Sequence, residues 1–248
     1  MLRALFYRRP QTIAPIPIAV DGAIHLVRIK RHKQARRYTL RVLAATREVL
    51  LTIPQRSSVK DAKAFAEKNS GWIAARLRHL PVPAPFSDGE FVPLRGAMHR
   101  ICHCAKQRGT VWVETRNGES LLCVAGDAPH LHRRVSDYLK REARRDLLDA
   151  SRRYAAELGV TIKSLTVRDQ VSRWGSCSST GALSFSWRLI LAPPYVLDYL
   201  AAHEAAHLIE MNHSRKFWTI LRGICPELER AKTWLDTHGA GLHRYGAQ

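Results

Sequence analysis

No stretch of the chain approaches the roughly 18 consecutive apolar residues that a membrane span requires, which argues against an integral membrane protein. The first twenty residues lack the apolar segment of a secretory signal, because Arg8, Arg9, Pro10 and Pro15 interrupt it. Cysteine is scarce. The five residues, at 102, 104, 123, 177 and 225, are an odd number without the regular spacing of a disulfide framework, so reduced thiols and a cytoplasmic setting are expected. No repeat of solenoid period occurs. The 14 Gly and 12 Pro are too few for a fibrous or disordered chain, and 46% apolar content over 248 residues allows a core that needs no metal merely to fold.

Acidic residues are also in short supply, with 21 Asp and Glu against 40 Lys and Arg and a formal net charge of +19. The imbalance is local. Residues 1–80 hold 17 basic and 4 acidic side chains, which accounts for +13 of the excess. Such a face attracts polyanions, so nucleic acid is an expected partner of this first third beside the plainer reading of a solubilising surface.

Ile24–Ile29, Tyr38–Val42 and Val49–Ile53 read as strands, followed by a helix over Val59–Leu80 with Ser58 as N-cap. Pro81–Asp88 is a proline-rich connector. Met98–Cys104, Val111–Thr115 and Leu121–Val124 then suggest a strand meander with a turn at Asn117-Gly118. Cys102-His103-Cys104 is no metal site on this reading, because alternation along a strand points His103 away from the two cysteines. Val135, Leu139, Ala143, Leu147, Tyr154 and Leu158 keep a helical spacing that Gly159 stops, and the arginines on the other face alternate with acids as on a solvated, salt-bridged surface. Ile162–Val167 and Ala182–Leu191 read as strands, and Pro193-Pro194 can open a helix over roughly Tyr195–Ile209.

That helix contains His203-Glu204-Ala205-Ala206-His207. Residues four apart lie about 40° and about 6 Å from each other on a helix, so His203 and His207 can chelate one ion while Glu204 reaches water beside it. A catalytic zinc needs a third protein ligand and an open position. His213 fits if the chain turns back after the helix, with Asn212 able to supply a left-handed turn and Ser214 an N-cap for a following helix. A chance HExxH with a histidine six residues later is expected in roughly one chain in a thousand.

Arg173-Trp174-Gly175-Ser176-Cys177, Phe185-Ser186-Trp187-Arg188, the His203–His207 motif and Met211-Asn212-His213-Ser214 together resemble the YgjP-like metallopeptidase family, related to the SprT and Spartan proteases of the zincin class. The resemblance implies a metallohydrolase with one zinc per chain on His203, His207 and His213, Glu204 as general base, and a peptide or protein substrate. It also suggests Leu183–Arg188 as the strand edge that pairs with substrate, and Arg173, Arg188 and Tyr195 as oxyanion candidates. The expected architecture is α+β: a basic region over 1–80 with a small mixed sheet, a connector and meander over 81–129, and a zincin-like region over 130–248 with an HExxH active-site helix. Two other functions are open to the sequence, and nothing in it cleanly separates the first of them from the peptidase. One is hydrolysis of a nucleotide phosphoanhydride or another small anion, and the other is a nucleic-acid-associated binding module with a structural metal, which would have no need of Glu204.

Overall fold

The computed structural model describes residues 13–43, 47–80 and 82–246. Arg8, Arg9, Pro10 and Pro81, which entered the sequence argument, lie outside this set. The chain is mixed α and β and divides into two compact units, residues 1–80 and 81–248. No helix among the described residues is long and apolar enough to cross a membrane.

In the first unit, β1 (Ile16–Val20), β2 (Ala23–His32), β3 (Thr39–Val42) and β4 (Val49–Pro54) form a sheet in the order β1-β2-β4-β3. β2 and β4 run parallel and the other pairs antiparallel. Asp21 and Gly22, with φ of 47° and 78°, supply the left-handed pair that a tight hairpin turn between β1 and β2 requires. Alternation puts Ile18, Val27, Ile29, Leu51 and Ile53 on one face, buried against Ala62, Ala66, Ile73 and Leu77. These last belong to α1 (Val59–Lys68) and α2 (Ser70–Arg78).

Ser58 caps α1 as expected, its side chain accepting from the Asp61 N–H at 3.0 Å. The single helix expected over 59–80 is broken, however. Asn69 at the break has φ −102° and ψ 15°, and its side-chain amide donates to the Phe65 carbonyl at 2.7 Å, the local competition that makes asparagine a poor helix interior. β1 was hidden from the sequence by Pro17, which an edge strand tolerates. Part of the basic excess is engaged locally: Arg28 lies 3.7 Å from Glu48, and Arg31 donates to the carbonyls of Gln55 and Ser57 at 2.7 and 2.6 Å.

The second unit begins with β5 (Phe91–Leu94), β6 (Ala97–Cys104), β7 (Val111–Arg116) and β8 (Glu119–Ala125), in the order β5-β6-β8-β7. This is not the meander expected from the sequence. β8 inserts between its predecessors, parallel to β6 and antiparallel to β7, repeating the strand order of the first unit. Asn117 and Gly118 do form the β7–β8 turn, with φ of 51° and 80°. One face of the sheet, with Ile101, Leu122 and Val124, packs into a common core with Val135, Leu139 and Leu147 of α3 (Leu131–Glu157), which ends before left-handed Gly159. Arg133 pairs with Asp137 on the outer face of α3, and Arg145 reaches the buried Glu142.

β9 (Ser164–Arg168), β10 (Gly175–Cys177) and β11 (Ala182–Ser186) form a third sheet in the order β10-β11-β9. The strand expected over 182–191 stops at Ser186, and Trp187–Leu191 form a buried 3-10 turn instead. α4 (Pro194–Ala206), α5 (Arg215–Ile224) and α6 (Leu228–Leu242) complete the unit.

Arg95 and Gly96, at φ 52° and 78°, turn β5 into β6 and fix the sheet to its neighbours. The Arg95 N–H donates to the Ile190 carbonyl at 2.7 Å, and its guanidinium grips Asp146 at 2.7 and 2.9 Å and Glu142 at 2.9 Å. A side chain at Gly96 would meet the Pro193 backbone at 3.0 Å. Arg95→Ala leaves the Glu142 carboxylate with little solvent and should lower stability by about 2–4 kcal/mol. Urea unfolding with an unchanged midpoint would show that this ion-paired turn is not an anchor.

Candidate metal centre

α4 starts on Pro194 at a position where proline costs no hydrogen bond, and it is buried on nearly every side. Val196, Ala201, Ala202, Ala205 and Ala206 have essentially no solvent exposure, so neighbouring elements approach its backbone closely. Into this apolar setting the helix carries His203 and Glu204, with His207 at its C-cap.

The chain then bends back. Leu208 and Ile209 donate to the carbonyls of Ala205 and Ala206, and Glu210 also donates to Ala206, so the last turn tightens and α4 ends at Ala206 rather than near 209. Asn212 is not left-handed as expected. No described residue between 207 and 213 has positive φ, and the Ser214 N–H donates to the Asn212 carbonyl at 2.8 Å to tighten the return. The Ser214 side chain then caps α5, accepting from the Phe217 N–H at 3.4 Å.

This path brings His203, His207 and His213 together, each offering a ring nitrogen with all three atoms within 4.8 Å of one another. The Nε2 atoms of His203 and His213 are 3.1 Å apart. Phe217 of α5 stacks on His207 with ring centroids 4.5 Å apart and meets His203 edge-on at 5.0 Å. His207 Nδ1 lies 3.0 Å from the Glu210 carbonyl, which can only accept, so the proton sits on Nδ1 and the lone pair on Nε2. Burial, with the neighbouring imidazoles His207 and His213 adding to it, lowers the His203 pKa to about 4, and burial also lowers that of His207. Three converging nitrogens, two of them held neutral by burial, suit a borderline cation such as zinc.

Glu204 is 4% exposed, and its Oε2 has no hydrogen-bond partner. Burial pushes its pKa up to about 8, against the opposing pull of Arg173. Gly175 of β10 makes room for it: a Cβ there would overlap Oε1 and come within 2.9 Å of Cγ and Cδ. His203 and Glu204 open onto a cleft of about 330 Å³ lined also by Trp174, Gly175, Tyr199, Lys232 and Asp236.

Several of these residues escaped the sequence reading. Tyr199 sits one helical turn before His203, its ring 5.8 Å away, and that spacing was a usable signal. Lys232 and Asp236 come from α6 with no local motif. Other expectations fail. Leu183–Arg188 is not an edge, because β11 is hydrogen-bonded on both sides and residues 187–188 have left the sheet; the edge strand nearest Glu204 is β10. Arg188 is buried and spends its donors on Asp169 and the carbonyls of Leu242 and Tyr245. Tyr195 lies under the Arg230 guanidinium, 4.0 Å from its ring centre. Trp187 is in the core, whereas Trp174 lines the cleft.

Trp174 stacks on His243 at 5.2 Å, and burial, helped by Arg188, lowers the His243 pKa to about 4. The ordinary value is 6.5, so between the two the unfolded chain binds more protons than the folded one. The contribution of His243 to the stability of the metal-free protein should therefore be full above about pH 6.5 and be lost as pH drops toward about 4, so the acid-side fall in stability should be less steep in His243→Phe. Thermal unfolding midpoints that change with pH as steeply in His243→Phe as in the wild type would contradict this.

No curated protein matches the chain. Among solved structures, the metallopeptidase zymogen of Pyrococcus abyssi abylysin matches with 23% identity and a TM-score of 0.34, over 40% of this chain and 97% of that one. The model of the YgjP-like metallopeptidase domain matches residues 36–238, most of the sequence, and the chain belongs to that family.

Proposed function

We propose that the protein is a zinc-dependent peptidase in which His203, His207 and His213 hold the ion and Glu204 is the general base. The observation that carries this reading is the convergence of three ring nitrogens beside a buried carboxylate that has no other partner. When bound, zinc supplies a Lewis acid for the scissile carbonyl and acidifies water. Glu204 takes the proton from the attacking water and returns it to the leaving amine. The His207–Glu210 hydrogen bond orients one ligand, and Phe217 fixes the plane of its ring.

An extended substrate would add to the free edge of β10, hydrogen-bonding its main chain along Gly175–Cys177. That register would bring the peptide over Glu204, since a Cβ at Gly175 would overlap its carboxylate. The cleft residues Tyr199 and Lys232 replace Arg188 and Tyr195 as candidates to face a developing oxyanion.

Glu204→Gln should keep about one zinc in this site and lose at least about a hundredfold in peptide hydrolysis, because the amide keeps the shape and removes the base. Preserved turnover at equal metal loading would exclude Glu204 from that role. Loss of zinc is expected instead from His203→Ala, His207→Ala or His213→Ala, and undiminished occupancy of the site in His213→Ala would require a different third ligand. Gly175→Ala should reduce turnover by at least about tenfold with zinc retained, by displacing the Glu204 carboxylate. Wild-type kinetics in that variant would argue against the tight β10–Glu204 approach.

A further inference from the structure

Alternation along β6 points Cys102 and Cys104 to the same side of the sheet, the side opposite the Ile101, Leu122 and Val124 core face. The parallel register then sets Cys123 of β8 directly beside Cys102. The sulfur atoms of all three lie within 4.8 Å of one another, and those of Cys102 and Cys104 are 3.8 Å apart. Zinc–sulfur bonds of about 2.3 Å in tetrahedral geometry place neighbouring sulfurs about 3.8 Å apart, so this trio needs only a small contraction to share one ion.

We propose that Cys102, Cys104 and Cys123 form a second metal site, a three-thiolate cradle for one thiophilic divalent cation such as zinc. His103 still points away, as the sequence reading required; the third donor comes from the neighbouring strand instead. Glu114 of β7 is the nearest candidate for the fourth position, its Oε2 3.6 Å from the Cys123 sulfur. The Arg116 guanidinium, hydrogen-bonded to Glu114 at 3.1 and 3.2 Å, offsets the negative charge that three thiolates would bring. A hollow of about 200 Å³ lined by Arg100, Cys102, Arg116, Asn117, Glu119 and Leu121 gives an ion access from solvent. On binding, the thiols release their protons to solvent and no redox partner is needed. The cation would tie β6 to β8, the non-local parallel pair of this sheet. The site does not rest on the reading of the histidine cluster.

The test uses the reduced, metal-free full chain titrated with cobalt(II), a spectroscopic stand-in for zinc. Thiolate-to-cobalt charge-transfer absorption should appear and saturate near one equivalent of thiolate-bound metal. It should persist in His207→Ala and be lost in Cys102→Ser and in Cys104→Ser, both half-buried positions where serine keeps the strand, with circular dichroism verifying the fold. Cys123→Ser should behave the same way if it folds, but the proposal stands or falls on the other two. Absence of the charge-transfer band in the wild type, or a band unchanged in both variants and so arising from Cys177 or Cys225, would overturn it.

Discussion

A helix buried on nearly every side carries the polar groups of the candidate centre, and the surrounding structure is arranged around that constraint. Burying His203, Glu204 and His207 costs free energy unless each finds a partner, and only His207 has a firm one within the protein. Alanines along α4 let β10 and α5 approach closely enough to shape what remains. The unpartnered Glu204 Oε2 and His203 Nδ1 break the rule that buried polar atoms are satisfied, and such breaks gather where function needs them.

The local features of the fold could be read from residue order because each rests on a short-range cause. Ser58 and Ser214 cap helices, Asn117-Gly118 turns a hairpin, and Gly159 stops α3. The histidine pair four residues apart follows from helical geometry. The convergence of His213 could be anticipated from the requirement for a third ligand, but the route could not. The chain makes the return by tightening the last turn rather than through a left-handed Asn212.

Strand order was the main thing the sequence concealed. Pairing between β6 and β8 across an intervening strand leaves no mark in the periodicity of either, so a meander was the natural but mistaken inference. The same blindness hid Cys123 from Cys102 and Cys104. β10 went unseen because Gly175-Ser176-Cys177 is short and lacks β-branched residues, and without it β11 looked like an edge.

The shared order of the two four-stranded sheets is matched by their residues. Gly22-Ala23-Ile24-His25 opens β2 much as Gly96-Ala97-Met98-His99 opens β6, and Glu48-Val49-Leu50-Leu51 parallels Glu119-Ser120-Leu121-Leu122 at β4 and β8. The likeness is unequal across the two faces of the sheets. Some inward positions are aliphatic in both, as with Val27 and Ile101 or Ile53 and Val124. Outward positions differ in chemistry: β2 and β4 carry Arg28, Lys30 and Thr52, while β6 and β8 carry Cys102, Cys104 and Cys123. Packing constrains only one face of each sheet, so the other is free to carry charge in one and thiols in the other.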